Sequence, residues 1–279
     1  MSALPYAPRE AEGFVWSRVL TELEARQPRL AAASVLFLLA IGPIGLASVF
    51  DDRLVNGIDI WMKPMKFLGS LAIYYATLAW FHGYLPLETR RSRLGRAIVT
   101  VPVAVGLLEM TWLIVTASLG QPSHFNRSAP VFEISYALAG VGATTLMVVA
   151  LTTGILIGRR RQVPLEPAFR LAIVLGCGLA FVATMATAGY LASGAGHWVG
   201  GVSTDAGGLP IVGWSRTGGD LRVAHFFAMH ALQIVPLAGW LVTRSGIRRV
   251  TLAVWSFAAA YAAFITWTFM QALAGHPFL

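Results

Sequence analysis

Apolar stretches of membrane-spanning length, separated by loops in which arginine piles up every second time, leave this chain few folds to adopt. A helix needs roughly 20 apolar residues to cross a bilayer. Stretches at about 30–50, 65–86, 97–119, 131–157, 169–192, 222–243 and 249–273 meet that length. Arg26 and Arg29 precede the first, Arg90, Arg91, Arg93 and Arg96 follow the second, Arg159, Arg160 and Arg161 the fourth, and Arg244, Arg248 and Arg249 the sixth. Because basic residues stay on the cytoplasmic side, the expectation is an all-α membrane protein. It is a seven-transmembrane-helix bundle with its N-terminus cytoplasmic and its C-terminus outside.

Composition agrees. With 56% hydrophobic and 12% charged residues, the chain is far more apolar than a soluble domain. The net charge of +8 therefore reads as topology, and the expected partner is the lipid bilayer, with no nucleic acid. Residues 1–29 read as a cytoplasmic amphipathic segment. In it Val15, Trp16, Val19, Leu20 and Leu23 recur at helical spacing and Glu22 pairs with Arg26, as in a short interfacial helix. Glu10, Glu12, Glu22 and Glu24 ahead of the first apolar run argue against a signal peptide. Residues 30–279 form a single transmembrane domain with a long outer loop at 193–221, whose Trp198, Ile211, Val212 and Trp214 suggest a lid. The one cysteine, Cys177, lies in an apolar span and excludes an intrachain disulfide.

In this topology the second, fourth and sixth spans start at the outer surface, with unpaired amides and positive dipole ends directed outward. Pro64 and Pro130 suit first helical positions, and Asp220 suits an N-cap. Acidic side chains ordinarily decorate such ends, whereas here Lys63, Lys66 and Arg222 do. Of 21 basic residues, only Lys63 and Lys66 are lysine, and Ser70, Tyr74 and Thr77 continue a polar stripe below them. An anion held among the cations would relieve the unfavourable dipole. The expected ligand-binding set is Lys63, Lys66, Asp59, His124, Asn126, Arg127, Trp214, Asp220, Arg222 and His225, with Asp59 and Asp220 orienting the cations. The competing reading is that the lysines snorkel to headgroups, the hydroxyls bond their own helix, and Asp205 and other carboxylates neutralise the cluster.

Deeper in the apolar layer, Glu109, His230 and Gln233 are polar groups that need partners there. They are candidates for a proton relay. His124, His225 and His230 are the rival candidates for a haem or transition metal in a membrane-embedded redox protein, although an i,i+5 pair points about 140° apart on a helix. No cofactor is predicted by motif: GxSxG, HExxH, Walker and GxGxxG signatures are missing. A structural subunit of a larger membrane complex is the third reading.

Three segments, DIWMKPMKF (59–67), SHFN (123–126) and GWSRTGGDLRVAHFFAMHALQIVPL (213–237), resemble those of an uncharacterised family of bacterial multi-pass inner-membrane proteins. The resemblance implies a bacterial inner membrane and carries no activity. The leading expectation is an outward-facing polar pocket that binds, and transports or senses, a small anionic or polar ligand.

Overall fold

The computed structural model describes residues 15–159, 163–194 and 196–279. In chain order they form α1 (Val15–Arg26), α2 (Pro28–Phe50), β1 (Leu54–Val55), β2 (Ile58–Asp59), α3 (Met62–His82), α4 (Leu87–Arg91) and α5 (Arg93–Ser118). Then come α6 (Pro130–Arg159), α7 (Pro167–Ser193), β3 (Trp198–Val199), β4 (Gly219–Asp220), α8 (Leu221–Arg244) and α9 (Val250–Leu273). Among the described residues, six helices are long and apolar enough to cross a membrane: α2, α5, α6, α7, α8 and α9. The fold is an all-helical bundle of membrane-protein character.

The expected second span is α3, which has 21 residues but falls outside those six. Two lysines open it, and Tyr74, Tyr75, Thr77 and His82 dilute the rest. Its surroundings explain the composition, because Leu68, Tyr75, Leu78 and Ala79 are fully buried among neighbouring helices. A helix enclosed by protein answers to packing and hydrogen bonding more than to lipid. Ser34 Oγ donates to the Ala72 carbonyl at 2.8 Å, Tyr74 Oη to Leu146 at 2.6 Å and Tyr75 Oη to Pro102 at 2.8 Å. Part of the polar stripe thus stitches α3 to α6, while Thr77 bonds within its own helix, to Ile73. The helix begins at Met62 rather than 65 because the Asp59 carboxylate accepts from Trp61 N at 2.7 Å. Pro64 therefore occupies the first turn but not its first position.

Glycines bring α7 close to α6 and to α8. A Cβ on Gly154 would lie 2.6 Å from Cys177 Cβ, and one on Gly176 would lie 2.6 Å from Pro236 Cδ and 2.9 Å from the Ala231 carbonyl oxygen. Missing side chains let helix backbones approach, as in other membrane bundles. At the lid-bearing end α6 stands off: Val131, Ile134, Leu138 and Val141 are exposed, and the first buried residue of the helix is Ala139.

The 193–221 loop does fold back. Its two ends join where β3 pairs antiparallel with β4, Trp198 opposite Asp220. A hairpin between α2 and α3 supports it from the side. Asn56 and Gly57 make that turn with φ of 54° and 82°, the positive angles a two-residue hairpin turn demands. The Asn56 carbonyl accepts from Asp205 N at 2.8 Å and from Thr204 Oγ1 at 3.0 Å. Trp214 packs inward, but Ile211 is 80% exposed at φ 68°, so its expected burial under the lid is not found.

At the arginine end, α1 docks on α3. The Glu22–Arg26 pair forms at 2.6 Å, and the Arg26 guanidinium lies over Trp80 at 4.4 Å and Tyr84 at 4.7 Å while donating to the Trp80 carbonyl. Residues 1–14 and the side chains of Val15 and Trp16, part of the expected amphipathic segment, lie outside the described residues.

Candidate functional site

Beneath the lid, two groups of polar residues emerge from the starts of α3 and α8 and from the loop before α6. The first is a clamp. Asp220 caps α8 by accepting from Arg222 N at 3.0 Å, as expected of an N-cap, and also holds that residue's guanidinium, Oδ2 to Nη2 at 2.6 Å. The same Nη2 lies 2.6 Å from Asp205 Oδ1 and 2.7 Å from the Gly213 carbonyl oxygen. Asp205 in turn lies 3.1 Å from His197 Nε2. Burial alone would raise the Asp205 carboxyl, but the His197 hydrogen bond and the Arg222 charge outweigh it and hold the group below the usual carboxylate range. Arg222 is thereby engaged through Nε and Nη2. It fixes the lid, and its charge is met by two carboxylates.

The second group is a basin. Lys66 Nζ donates to the Val212 carbonyl at 3.1 Å, the residue next to the Gly213 that Arg222 holds, so the starts of α3 and α8 meet under one stretch of lid. Lys63 turns the other way, over the Phe67 ring at 6.0 Å, within electrostatic range of Glu109 on α5. Phe67 also touches His124, ring centroids 6.0 Å apart, and the His124 ring lies 5.1 Å from that of Tyr136 of α6, tilted by 50°. His124 faces Lys63 and His225. His225 Nδ1 lies 3.1 Å from Thr187 Oγ1 on α7, and the Glu109 carboxylate borders Gly142 on α6. Five helices and one loop therefore contribute to this polar cluster. Among the described residues, the Lys63 ammonium and the Glu109 carboxylate make no hydrogen bond or ion pair within 4.0 Å.

Other expected members take supporting places. Asp59 accepts from Ser48 Oγ and from Trp61 N, which starts α3, and does not orient the lysines. Asn126 Oδ1 accepts from Ser128 N at 3.0 Å and Ser128 Oγ at 2.7 Å, shaping the turn into α6. Arg127 is exposed near Tyr136. Trp214 is buried against Phe226, Phe227 and Phe278 and anchors the lid.

The expected relay is not joined. Glu109 is paired electrostatically with Lys63, whereas His230 lies on Phe226, centroids 4.2 Å apart, and meets Gln233, whose amide reaches Thr77 Oγ1 at 3.2 Å. The divergence of residues five apart on a helix separates His230 from His225. Of the three histidines proposed as metal ligands, His124 and His225 lie within electrostatic range of each other. Among the described residues, no three of His, Cys, Asp and Glu gather as a metal set. Asp205, Thr187 and Tyr136 enter the site without a periodicity signal of their own. The Asn56–Gly57 dipeptide between Val55 and Ile58 was the readable cue to the hairpin that holds Asp205.

His124 gives the site a pH signature. Burial, followed by the charge of Lys63, pushes its imidazole well below the ordinary histidine value. The unfolded chain takes up a proton near pH 6.5 where the folded one does not, so stability falls as pH drops from 7 through 6.5 towards the folded value. The loss reaches up to about 2 kcal/mol by pH 5. Asp205 contributes only below its unfolded value near pH 4. His124→Gln is expected to make the decline of the thermal midpoint between pH 7 and 5 shallower by the share that His124 contributes among the chain's histidines, followed by tryptophan fluorescence. Equal slopes in both proteins would assign the decline elsewhere.

Compared with known proteins, the chain matches no protein-family model, no curated protein and no solved structure.

Proposed function

We propose that this is a seven-span bacterial inner-membrane protein whose lid end faces away from the cytosol, and that the basin there binds a small anionic or polar ligand for uptake, export or sensing. The orientation is supported by arginines gathered at the end opposite the lid. Counting α3 as the seventh span is supported by its 21 residues, which at about 1.5 Å each reach the roughly 30 Å of a hydrocarbon core. The observation that carries the binding reading is Lys63. Its ammonium sits in the first turn of a helix, where the dipole opposes it, with no ion-pair partner among the described residues. Arg222, an expected anion holder, is occupied by the lid clamp. The anionic group therefore belongs to Lys63, with the remaining donors of Lys66 at the edge.

Lysine usage makes the test direct, since Lys63 and Lys66 are the only lysines in the chain. A membrane-impermeant acylating reagent applied to spheroplasts should modify Lys63 faster than Lys66, read by peptide mass spectrometry, and acetate or inorganic phosphate should slow it severalfold. Modification confined to inverted vesicles would overturn the orientation. Rates unchanged by either anion would overturn the binding reading.

A further inference from the structure

The groups left without partners in the cluster are of both kinds. Lys63 offers hydrogen-bond donors and a positive charge. Glu109, within its electrostatic range but forming no ion pair with it, offers acceptors and a negative charge. His225 carries a further acceptor on α8. Thr187 Oγ1 donates its one proton to the Ala183 carbonyl at 2.8 Å, so in its 3.1 Å contact with His225 Nδ1 the hydroxyl is the acceptor and Nδ1 carries the hydrogen. The neutral ring then presents Nε2 as a bare lone pair, and among the described residues no donor meets it.

A bare anion answers only one of these groups. Drawn to Lys63, it would stand beside the Glu109 carboxylate, and like charges in a site of low dielectric repel strongly. Two opposite charges within electrostatic range of each other and without an ion pair between them are both answered by a molecule that carries the two complementary charges. We propose that this polar cluster recognises a small zwitterion of the amino-acid class, its carboxylate on Lys63 and its ammonium on Glu109. Burying both ends of such a ligand is tolerable because each meets an opposite charge, as buried ions must. Gly142 widens the wall beside Glu109, where a Cβ would stand 3.9 Å from Oε2. This inference rests on the binding reading above and narrows its ligand class.

Titration calorimetry on the full-length protein in nanodiscs, with acetate, methylammonium, glycine and 4-aminobutanoate, separates the outcomes without any variant. At least one amino acid should bind about tenfold or more tightly than acetate, a difference of about 1.4 kcal/mol. Glu109→Gln should remove that preference while acetate binds as well as before or better. Acetate binding as tightly as both amino acids would overturn the zwitterion and leave the anion reading standing. Binding of none of the four would remove both. A preference that persists unchanged in Glu109→Gln would overturn the part given to Glu109.

Discussion

Arg222→Met is expected to lower stability by about 3–5 kcal/mol, the range for stripping one partner from a buried ion pair. Its guanidinium lies 2.6 Å from both Asp205 and Asp220, carboxylates that are 5% and 2% exposed. Removing it takes from two buried carboxylates the cation that both contact, leaving His197 hydrogen-bonded to Asp205, Lys66 within electrostatic range of both, and the α8 amide of residue 222 on Asp220. Lys66→Met should cost about 1 kcal/mol, because Lys66 donates a single hydrogen bond to a carbonyl at the rim. Thermal unfolding measures both, and protease sensitivity within 193–221 should rise with Arg222→Met alone. Adding Asp205→Asn should recover a substantial share of the loss, since residues in one network couple. A double variant no more stable than Arg222→Met would mean that the clamp does not hold the lid through charge.

The helices were legible because the cost of placing polar backbone in lipid forces long apolar runs, and each observed boundary falls within four residues of the expected one. The α3 helix shows the limit of that logic. Its second half was found by apolarity, but its buried tyrosines serve α5 and α6, and no one-dimensional pattern says which carbonyl a Tyr hydroxyl will reach. In the site, the concentration of Lys63, Lys66, His124, Arg222 and His225 under one lid followed from topology, since loops alternating across a membrane bring distant segments to one face. What was not legible was the division of labour. Lys66 and Arg222 look equivalent in sequence, yet one meets a carbonyl and the other two carboxylates, because Asp205 arrives from a loop whose path is set by a hairpin before α3. Glu109 was readable as a polar residue in need of company, and its company proved to be Lys63 because α3 and α5 pack side by side, a neighbour relation that spans of similar polarity do not reveal.

Gly176→Val tests the packing of α7 on α8. A Cβ there would lie 2.6 Å from Pro236 Cδ and 2.9 Å from the Ala231 carbonyl oxygen, a proline ring and a backbone atom, neither able to swing aside like a flexible side chain. Pro236 has no amide to donate to Leu232, so α8 is already irregular at this level, and α7 presses its glycine into the irregular turn. Separating the two helices to admit Val is expected to cost about 3 kcal/mol, the upper range for overpacking a core. Gly178, two residues along the same helix, has nothing within 4 Å of its would-be Cβ. Gly178→Val should therefore leave the thermal midpoint close to that of the parent, although both substitutions make the same change in composition and helix propensity. A similar loss at both positions would trace the effect to the α7 backbone itself. A loss confined to Gly176 would locate it in the α7–α8 seam.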